Sequence, residues 1–342
     1  VQAHEAEAGS MVIADPRSGE VLALVNQPSF NPNNRGELKG EHYRNRAVTD
    51  IFEPGSTIKP ITIAAALESG HYRPETSIST DPGYFKVGRH VVTDLKNFGE
   101  LDVAGVIKKS SNVGASKIAL SLEPELLWNM LHGVGFGANS GTGLPGESTG
   151  HLNEARNWRD IERATLAFGY GISVNAMQLT RAYSVLATDG ILRPLSITKL
   201  ERVSPGARII STDTARKLRL MMEDVVTDGT GRAASVVGYR VAGKTGTVHK
   251  STARGYAEDR YLSLFAGMLP ARQPELVAVV VIDEPKSGEY YGGRVAAPIF
   301  SKVMREAARV LGITPDDLSD VKDDRFRMAA RFNQETESGT SQ

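Results

Sequence analysis

The sequence predicts a mixed α/β fold in which about five strands form a sheet and helices fill the interior of the chain. Two β-rich runs stand near the N-terminus, three more lie in the C-terminal third, and alanine-rich or amphipathic segments occupy the middle. The 342 residues are 40% hydrophobic and 23% charged, a composition typical of a globular chain with a sizeable core. Both ends of the chain are therefore expected to contribute strands.

Turn residues delimit the predicted strands. The first two β-rich runs flank Asp15-Pro16-Arg17-Ser18-Gly19, whose proline and glycine favour a tight turn, so these runs are expected to pair as a hairpin. The predicted strands are Met11–Ala14, Val21–Val25, Tyr239–Ala242 running into Lys244, Leu262–Met268 and Leu276–Ile282.

Helices are predicted where apolar residues recur between capping residues. The segment Ser56–Glu68 is alanine-rich and stops before Gly70, which favours a buried helix that ends at a glycine. The other predicted helices are Pro124–Leu131, Asn175–Ala187, Thr212–Val226 and Ala297–Leu311.

Polar and glycine-rich stretches predict the loops and the domain limits. Residues 31–46 and 138–147 are expected to be loops. Gly141-Thr142-Gly143 lies in no strand-turn-helix unit, so we reject a dinucleotide site there. The composition turns polar near the C-terminus, and we predict one domain over residues 1–313 and a disordered tail over 314–342.

Composition excludes several classes of function. The 40 basic and 40 acidic residues cancel and form no basic run, so nucleic acid is not an expected partner. The chain has no cysteine, and its seven histidines lack ligand spacing, so we predict neither a metal nor another cofactor. The longest apolar stretch, Leu276–Ile282, is much shorter than the ~20 residues that span a bilayer. Because it opens at Val1 without a signal peptide, we interpret the chain as an excised piece.

Three short motifs carry most of the functional information. They are Ser56-Thr57-Ile58-Lys59, Ser110-Ser111-Asn112 and Lys244-Thr245-Gly246-Thr247, in that order along the chain. A serine hydroxyl needs an adjacent base to act as a nucleophile, and a lysine three residues later on a helix lies on the same face. The second motif adds a hydroxyl and an amide, and the third adds a cation, two hydroxyls and a glycine that admits a close backbone. Together these groups indicate a serine acyltransferase.

The position of Ser56 at the start of a predicted helix strengthens this interpretation. Backbone N–H groups and the positive end of the helix dipole would favour negative charge on the hydroxyl oxygen. Lys59 can accept a proton only if its pKa is lowered by burial or by nearby positive charge. We expect Lys244 to supply that charge from a facing strand.

These motifs and their surroundings resemble the transpeptidase domain of a class B penicillin-binding protein, of the kind that cross-links peptidoglycan at the division septum. The similarity rests on the stretches 19–28, 53–60 and 241–247 and extends from Ala8 to Gly312. It implies the penicillin-binding and serine β-lactamase-like fold, an antiparallel sheet flanked by helices with an inserted all-helical region. It also implies D-Ala-D-Ala stem peptides as substrates and β-lactams as inhibitors.

The resemblance also implies a role for each motif residue. Ser56 would attack the penultimate D-Ala carbonyl with Lys59 as proton acceptor, and Ser110 would pass the proton to the leaving nitrogen. Asn112 would bind the acyl side-chain amide and help to hold Lys59. The substrate carboxylate would be bound by Lys244, Thr245 and Thr247, with Gly246 between them. The backbone N–H groups of Ser56 and Thr247 would form the oxyanion hole.

Three aromatic residues resemble positions that line the cleft in this family. They are Tyr170, Tyr290 and Tyr291, each close to glycines, and packing or a turn would explain them equally well. His249 is interpreted as an exposed loop histidine, in a polar segment over residues 249–259 that is expected to be mobile.

Three alternatives stay open at this point. A β-lactamase would need a base for deacylation; no Glu-x-x-Leu-Asn element of the class A type is present, and Ile172 stands where class D enzymes have asparagine. A carboxypeptidase that uses water as the acceptor has the same residues. A β-lactam-sensing receptor domain would be acylated once and would signal.

The resemblance finally implies a cellular setting. Such domains are expected to lie in the periplasm, anchored in the inner membrane by an N-terminal helix that this chain lacks. They are expected to work beside a septal glycosyltransferase and other division proteins.

Overall fold

The computed structural model describes residues 1–34, 40–252 and 255–319. Its helices are α1 (Arg46–Thr49), α2 (Lys59–Glu68), α3 (Val103–Lys109), α4 (Asn112–Ser121), α5 (Pro124–Gly133), α6 (Asp160–Leu166), α7 (Ala176–Ala187), α8 (Thr212–Asp228) and α9 (Gly292–Leu311). Its strands are β1 (Ala8–Ala14), β2 (Val21–Gln27), β3 (Ser77–Ser79), β4 (Tyr84–Val87), β5 (His90–Thr93), β6 (Glu100–Asp102), β7 (Ile191–Leu192), β8 (Ala207–Arg208), β9 (Ala242–Thr252), β10 (Gly255–Leu269) and β11 (Leu276–Asp283).

The main sheet joins the two ends of the chain. Its order is β2-β1-β11-β10-β9, and each neighbouring pair is antiparallel. Val12 of β1 stands opposite Val279 of β11, Val279 stands opposite Ala266 of β10, and Ala266 stands opposite Lys244 of β9. The predicted five-stranded sheet is confirmed, and the third motif lies on its edge strand β9.

Alternation along the strands divides the core into two layers. Successive side chains point to opposite faces, so Val279 and Ala266 pack with the buried helices, whereas Val280 and Phe265 pack with α9. The first layer contains α2, of which residues 59–67 are all buried, together with α7 and much of α8. Helix α9 buries one stripe through Phe300, Met304 and Ala308 and leaves its other side exposed.

Capping residues set the helix boundaries close to the predicted ones. Asn175 and Ser211 accept backbone hydrogen bonds at the N-termini of α7 and α8. Helix α9 starts at Gly292 rather than at the predicted Ala297. Pro298 therefore lies inside the helix instead of in its first turn. The predicted Ser56–Glu68 helix is a 3-10 turn over Gly55–Ile58 that continues into α2.

The polar stretch after the third motif was expected to be a loop, and this expectation is wrong for its described residues. Strand β9 continues to Thr252, and β10 begins at Gly255, with Tyr256 opposite Ser251. The pairing slips between Tyr256 and Tyr261, so this arm of the hairpin carries an irregularity. This end of the hairpin extends beyond the hydrophobic core and needs no apolar face. Its polar composition therefore resembles that of a loop.

The C-terminal segment is described only as far as residue 319. There the Asp316 carboxylate accepts a hydrogen bond from the Arg240 N–H at 2.8 Å, and the Asp317 N–H donates to the Gly238 carbonyl at 3.1 Å. Residues 320–342 of the predicted tail lie outside the described residues, as do residues 35–39 of the predicted loop 31–46. The domain boundary at residue 313 stays a prediction.

Candidate active site

A tightly held 3-10 turn presents Ser56 at the start of α2. Gly55 has a φ of 53°, and a Cβ there would lie 2.5 Å from Val248, so this position requires glycine. Thr57 is fixed twice, because its hydroxyl donates to the Pro54 carbonyl at 2.6 Å and its carbonyl accepts from the Tyr183 hydroxyl at 2.7 Å. The nucleophile candidate therefore sits on a rigid support.

Lys59 lies fully buried one turn after Ser56. Its Nζ is 2.7 Å from Ser56 Oγ, 2.7 Å from Asn112 Oδ1 and 2.8 Å from the Ser110 carbonyl oxygen. An uncharged amine has two hydrogens to donate and one lone pair. Donation to Asn112 and to the Ser110 carbonyl leaves the lone pair for the Ser56 hydroxyl proton. This geometry suits a general base.

Ser110 occupies the junction between α3 and α4 in a left-handed conformation, with φ 60° and ψ 37°. This region disfavours residues other than glycine, and such strain concentrates at functional sites. The conformation brings Ser110 Oγ within 3.2 Å of Lys59 Nζ and 2.9 Å of Lys244 Nζ. The hydroxyl therefore bridges two buried lysines.

Lys244 reaches the same point from the edge strand β9. It is fully buried, and its Nζ also lies 3.3 Å from the Thr245 carbonyl oxygen. A Cβ at Gly246 would lie 3.1 Å from Thr57 and 3.2 Å from Leu264, so glycine lets the nucleophile turn pack closely on the strand. The sequence predicted this close approach.

Burial and mutual charge set the protonation of the two lysines. Burial holds the pKa of Lys59 well below its usual range, the positive charge of Lys244 lowers it further, and Asp94 opposes the shift. Burial alone lowers the pKa of Lys244 to about 7. Both amines therefore give up a proton more readily than an exposed lysine does, and the charge of Lys244 favours the neutral form of Lys59.

Asp94 is a site residue that the sequence did not reveal. One of its oxygens accepts from the Ser111 hydroxyl at 2.6 Å, and the other accepts from the N–H groups of Asn112 and Val113 at 2.5 and 3.0 Å. The Asn112 amide donates to the Thr93 carbonyl at 3.2 Å, which turns its Oδ1 toward Lys59. Asp94 thus positions Ser111 and Asn112 of the second motif.

The two threonines of the third motif contact the turn that follows α8 and the first residue of α9. The Thr245 hydroxyl lies 2.9 Å from the Thr230 hydroxyl, and the Thr247 hydroxyl accepts from the Gly292 N–H at 2.9 Å. These contacts hold both hydroxyls in place on the strand that carries Lys244. Their predicted role in substrate binding stays a prediction.

The predicted aromatic residues surround the motifs at two places. Tyr170 follows Gly169, whose carbonyl accepts from the Gly55 N–H at 3.2 Å, so it stands beside the nucleophile turn. Tyr290 stacks on Tyr261 with ring centroids 4.0 Å apart, and Tyr291 is half exposed beside it.

His249 is not the exposed loop residue that the sequence indicated. It lies in β9, is partly buried, and its Nδ1 is 2.8 Å from the Ala257 carbonyl oxygen. Within the described parts of the chain, no three His, Asp or Glu side chains are grouped so that they could hold a metal ion. Among those same residues, no helix has the length and apolar character needed to cross a membrane.

The three motifs thus meet at one point, which defines a serine acyl-transfer site with a lysine base. Residues 9–305 match the family described as the penicillin binding protein transpeptidase domain. The chain belongs to this family, which confirms the resemblance seen in the sequence.

Named relatives and solved structures agree with this membership. The chain is 43% identical over 313 residues to the probable peptidoglycan D,D-transpeptidase PenA of Neisseria flavescens, covering 91% of this chain and 78% of the relative. It is also 43% identical to the peptidoglycan D,D-transpeptidase FtsI of Escherichia coli, covering 92% of this chain and 54% of that protein. The transpeptidase domain of penicillin-binding protein 3 from Burkholderia pseudomallei superposes with a TM-score of 0.85 at 42% identity, over 93% of this chain and 92% of that one. The chain thus spans about half the length of the Escherichia coli relative.

Proposed function

We propose that this domain is a serine D,D-transpeptidase that cross-links peptidoglycan stem peptides through an acyl-enzyme. The observation that carries the proposal is the position of Lys59 Nζ, buried and 2.7 Å from both Ser56 Oγ and Asn112 Oδ1. A buried lysine with a lowered pKa beside a serine hydroxyl is the arrangement that activates a nucleophile.

In the acylation step Ser56 Oγ attacks the carbonyl carbon of the penultimate D-Ala, and Lys59 takes the hydroxyl proton. Ser110 Oγ, in contact with both lysines, passes a proton to the nitrogen of the departing D-alanine. The bond from Ser56 Oγ to the acyl carbon forms while the peptide bond breaks. An amine of a second stem peptide then replaces Ser56 and restores its hydroxyl.

Substrate binding is assigned to the strand side of the site. Lys244, Thr245 and Thr247 bind the substrate carboxylate, and Asn112 holds the acyl side-chain amide. The backbone N–H groups of Ser56 and Thr247 stabilise the oxyanion, a contribution typically worth ~3 kcal/mol for each donor. Support comes from the contact of Lys244 Nζ with Ser110 Oγ and from the close contact of β9 with the nucleophile turn at Gly246.

β-Lactams are proposed to acylate Ser56 and to stay attached. Intact mass spectrometry, followed over hours after one addition of a β-lactam, tests this proposal. We expect a single adduct that persists, because a transpeptidase must keep its acyl group until an amine arrives. Rapid return to the free mass would instead favour a β-lactamase. Release of D-alanine from a pentapeptide without any cross-linked product would favour a carboxypeptidase.

We further propose that the domain acts in the periplasm, where its proposed substrate lies, as part of a longer protein anchored in the inner membrane. Support comes from the extra length of the curated relatives. A septal glycosyltransferase and other division proteins are the proposed partners, because a cross-linking enzyme needs newly polymerised strands. Co-purification of the full-length protein with such a glycosyltransferase tests this part.

A further inference from the structure

Glu53 stands three residues before Ser56 and is held next to the loop that carries Tyr170. Backbone bridging between Phe52 and Val174 aligns the two segments. The Gly171 N–H donates to Glu53 Oε1 at 2.8 Å. This carboxylate is therefore tied to the same support that fixes the nucleophile turn, although none of the three motifs includes it.

The second oxygen of this carboxylate has no partner. Glu53 Oε2 is shielded from solvent and accepts no hydrogen bond, and no lysine or arginine of the described residues forms an ion pair with Glu53. An unpaired buried carboxylate oxygen is costly unless a ligand satisfies it. Burial raises the pKa of Glu53, against the opposing hydrogen bonds from Gly171 and Tyr256.

Aromatic rings connect Glu53 with the catalytic lysine. Lys59 Nζ lies 6.0 Å from the centroid of the Phe168 ring, and Phe168 meets Tyr170 edge to face at 5.6 Å. Tyr170 meets Tyr256 in the same manner at 5.5 Å, and the Tyr256 hydroxyl donates to Glu53 Oε1 at 3.0 Å. These contacts form one continuous series from the base to the Glu53 carboxylate, which they meet at Oε1.

We propose that Glu53, with the rings of Tyr170 and Tyr256, binds the ammonium group of the acceptor peptide. This inference rests on the proposed transpeptidase function. The acceptor amine is protonated at neutral pH, and a carboxylate flanked by aromatic rings is a favourable environment for such a cation. The motifs supply groups for the donor peptide, whereas Glu53 supplies the negative charge that the acceptor requires.

The proton balance of the transfer follows from this placement. Glu53 accepts one proton from the ammonium, which leaves a neutral amine with a free electron pair. That nitrogen forms a bond to the acyl carbon while the bond from the carbon to Ser56 Oγ breaks. The second proton leaves the nitrogen through Lys59 and restores the Ser56 hydroxyl, and Glu53 returns its proton to solvent.

The test measures how an acyl-enzyme divides between water and an added amine. A benzoyl-D-alanine thioester forms the acyl-enzyme, and D-alanine is the cationic acceptor. In Glu53→Gln the isosteric amide still accepts from Gly171 but carries no charge. We expect the ratio of transfer to hydrolysis to fall about tenfold, with the rate of β-lactam acylation within about twofold of the wild type.

Hydroxylamine provides the matched nucleophile, because it is mostly uncharged at neutral pH. Transfer to hydroxylamine should be unchanged in Glu53→Gln, whereas a merely structural role would impair transfer to both nucleophiles. Tyr256→Phe keeps the carboxylate and both rings, loses only the hydroxyl that donates to Glu53, and should retain most transfer to D-alanine.

An unchanged ratio for D-alanine in Glu53→Gln would overturn the proposal, and so would a parallel loss of β-lactam acylation. Wild-type protein that acylates but never transfers to D-alanine would also overturn it while leaving the acylation chemistry intact. Wild-type protein that forms no acyl-enzyme at all would instead reject the proposed function.

Discussion

The two buried lysines of the site resemble each other in chemistry and differ in surroundings. Lys59, on the helical side, lies within hydrogen-bond distance of oxygens from Ser56, Ser110 and Asn112. Lys244, on the strand side, contacts the Ser110 hydroxyl and the carbonyl of Thr245. Neither lysine forms an ion pair with a carboxylate among the described residues.

The difference shows how one site obtains both a base and a cation from the same residue type. Burial lowers the pKa of both amines, but only Lys59 is lowered further by a neighbouring positive charge. The positive charge of the strand lysine thus helps the helix lysine to lose its proton. Ser110, in contact with both, couples the two sides.

Removal of the nucleophile should have the largest effect. We expect Ser56→Ala to form no covalent adduct with a β-lactam, because Ser56 is the hydroxyl that stands at the start of α2 with Lys59 Nζ at 2.7 Å, whereas the Ser110 hydroxyl is already shared between two lysines. Intact mass spectrometry checks the adduct, and circular dichroism checks that the fold is kept. Ser287→Ala, which changes an exposed serine outside the three motifs, is the matched control and should label normally. An adduct on Ser56→Ala mapped to another residue would remove Ser56 from its role.

Arginine substitutions should separate the two lysines. Lys59→Arg should slow acylation by about a thousandfold or more, because a guanidinium does not lose its proton and cannot act as a base. Lys244→Arg keeps a cation and should slow acylation by only about ten- to a hundredfold. Stopped-flow measurement with a fluorescent β-lactam gives both rates.

Lys302→Arg on the exposed side of α9 serves as the matched control for these variants and should acylate at the wild-type rate. Equal losses in Lys59→Arg and Lys244→Arg would show that the two lysines do not divide the roles of base and anion anchor.

The burial of Lys244 also predicts a pH dependence of stability. Its pKa is about 7 in the folded protein, whereas the ordinary pKa of a lysine is 10.5, so the unfolded state binds more protons between these values. Its contribution therefore makes the free energy of unfolding rise as the pH rises from about 7 toward 10.5. We expect Lys244→Met to be more stable than the wild type near pH 7 and to lose that advantage by pH 10. Urea titrations of both proteins across this range would contradict the assignment if their difference did not change with pH.

Asp94 should produce the smallest of these effects. Asp94→Asn removes the charge and one acceptor at the start of α4, and we expect it to lower the free energy of unfolding by about 1 to 2 kcal/mol. Acylation should slow by about tenfold or less, because Asn112 then holds Lys59 less firmly. Asp102→Asn is the matched control, since Asp102 caps α3 by accepting from the Gly105 N–H at 2.6 Å and contacts no motif. Equal acylation rates in the two variants would show that Asp94 only stabilises the helix.

The parts of the structure that the sequence predicted are those with a repeated physical signal. The strands of the sheet centre alternate or run apolar, and α7 and α8 have strong N-caps, so their types and approximate limits are correct. The motif residues Ser56, Ser110 and Lys244 could be named because their chemistry is tied to short local spacing. Their convergence to within hydrogen-bond distance depends on tertiary packing, which the spacing alone does not specify.

The elements that were not predicted lack such a signal. Helices α3 and α4 are short and rich in small residues, so their apolar faces do not stand out. Asp94 lies 18 residues before Asn112 and follows a short strand, where an aspartate is an ordinary turn residue. Glu53 is adjacent to the first motif, but only the fold shows that one of its oxygens is buried and unpaired.

The left-handed backbone conformation of Ser110 means that selection for stability and selection for activity should favour different residues at this position. Glycine adopts this conformation without steric cost, so a library selected only for thermal stability should accumulate glycine at position 110. A library selected for cell-wall synthesis should keep serine, because the hydroxyl that contacts both lysines disappears with its Cβ. Sequencing both libraries after several rounds would show opposite enrichment at this one position if the site works through that hydroxyl.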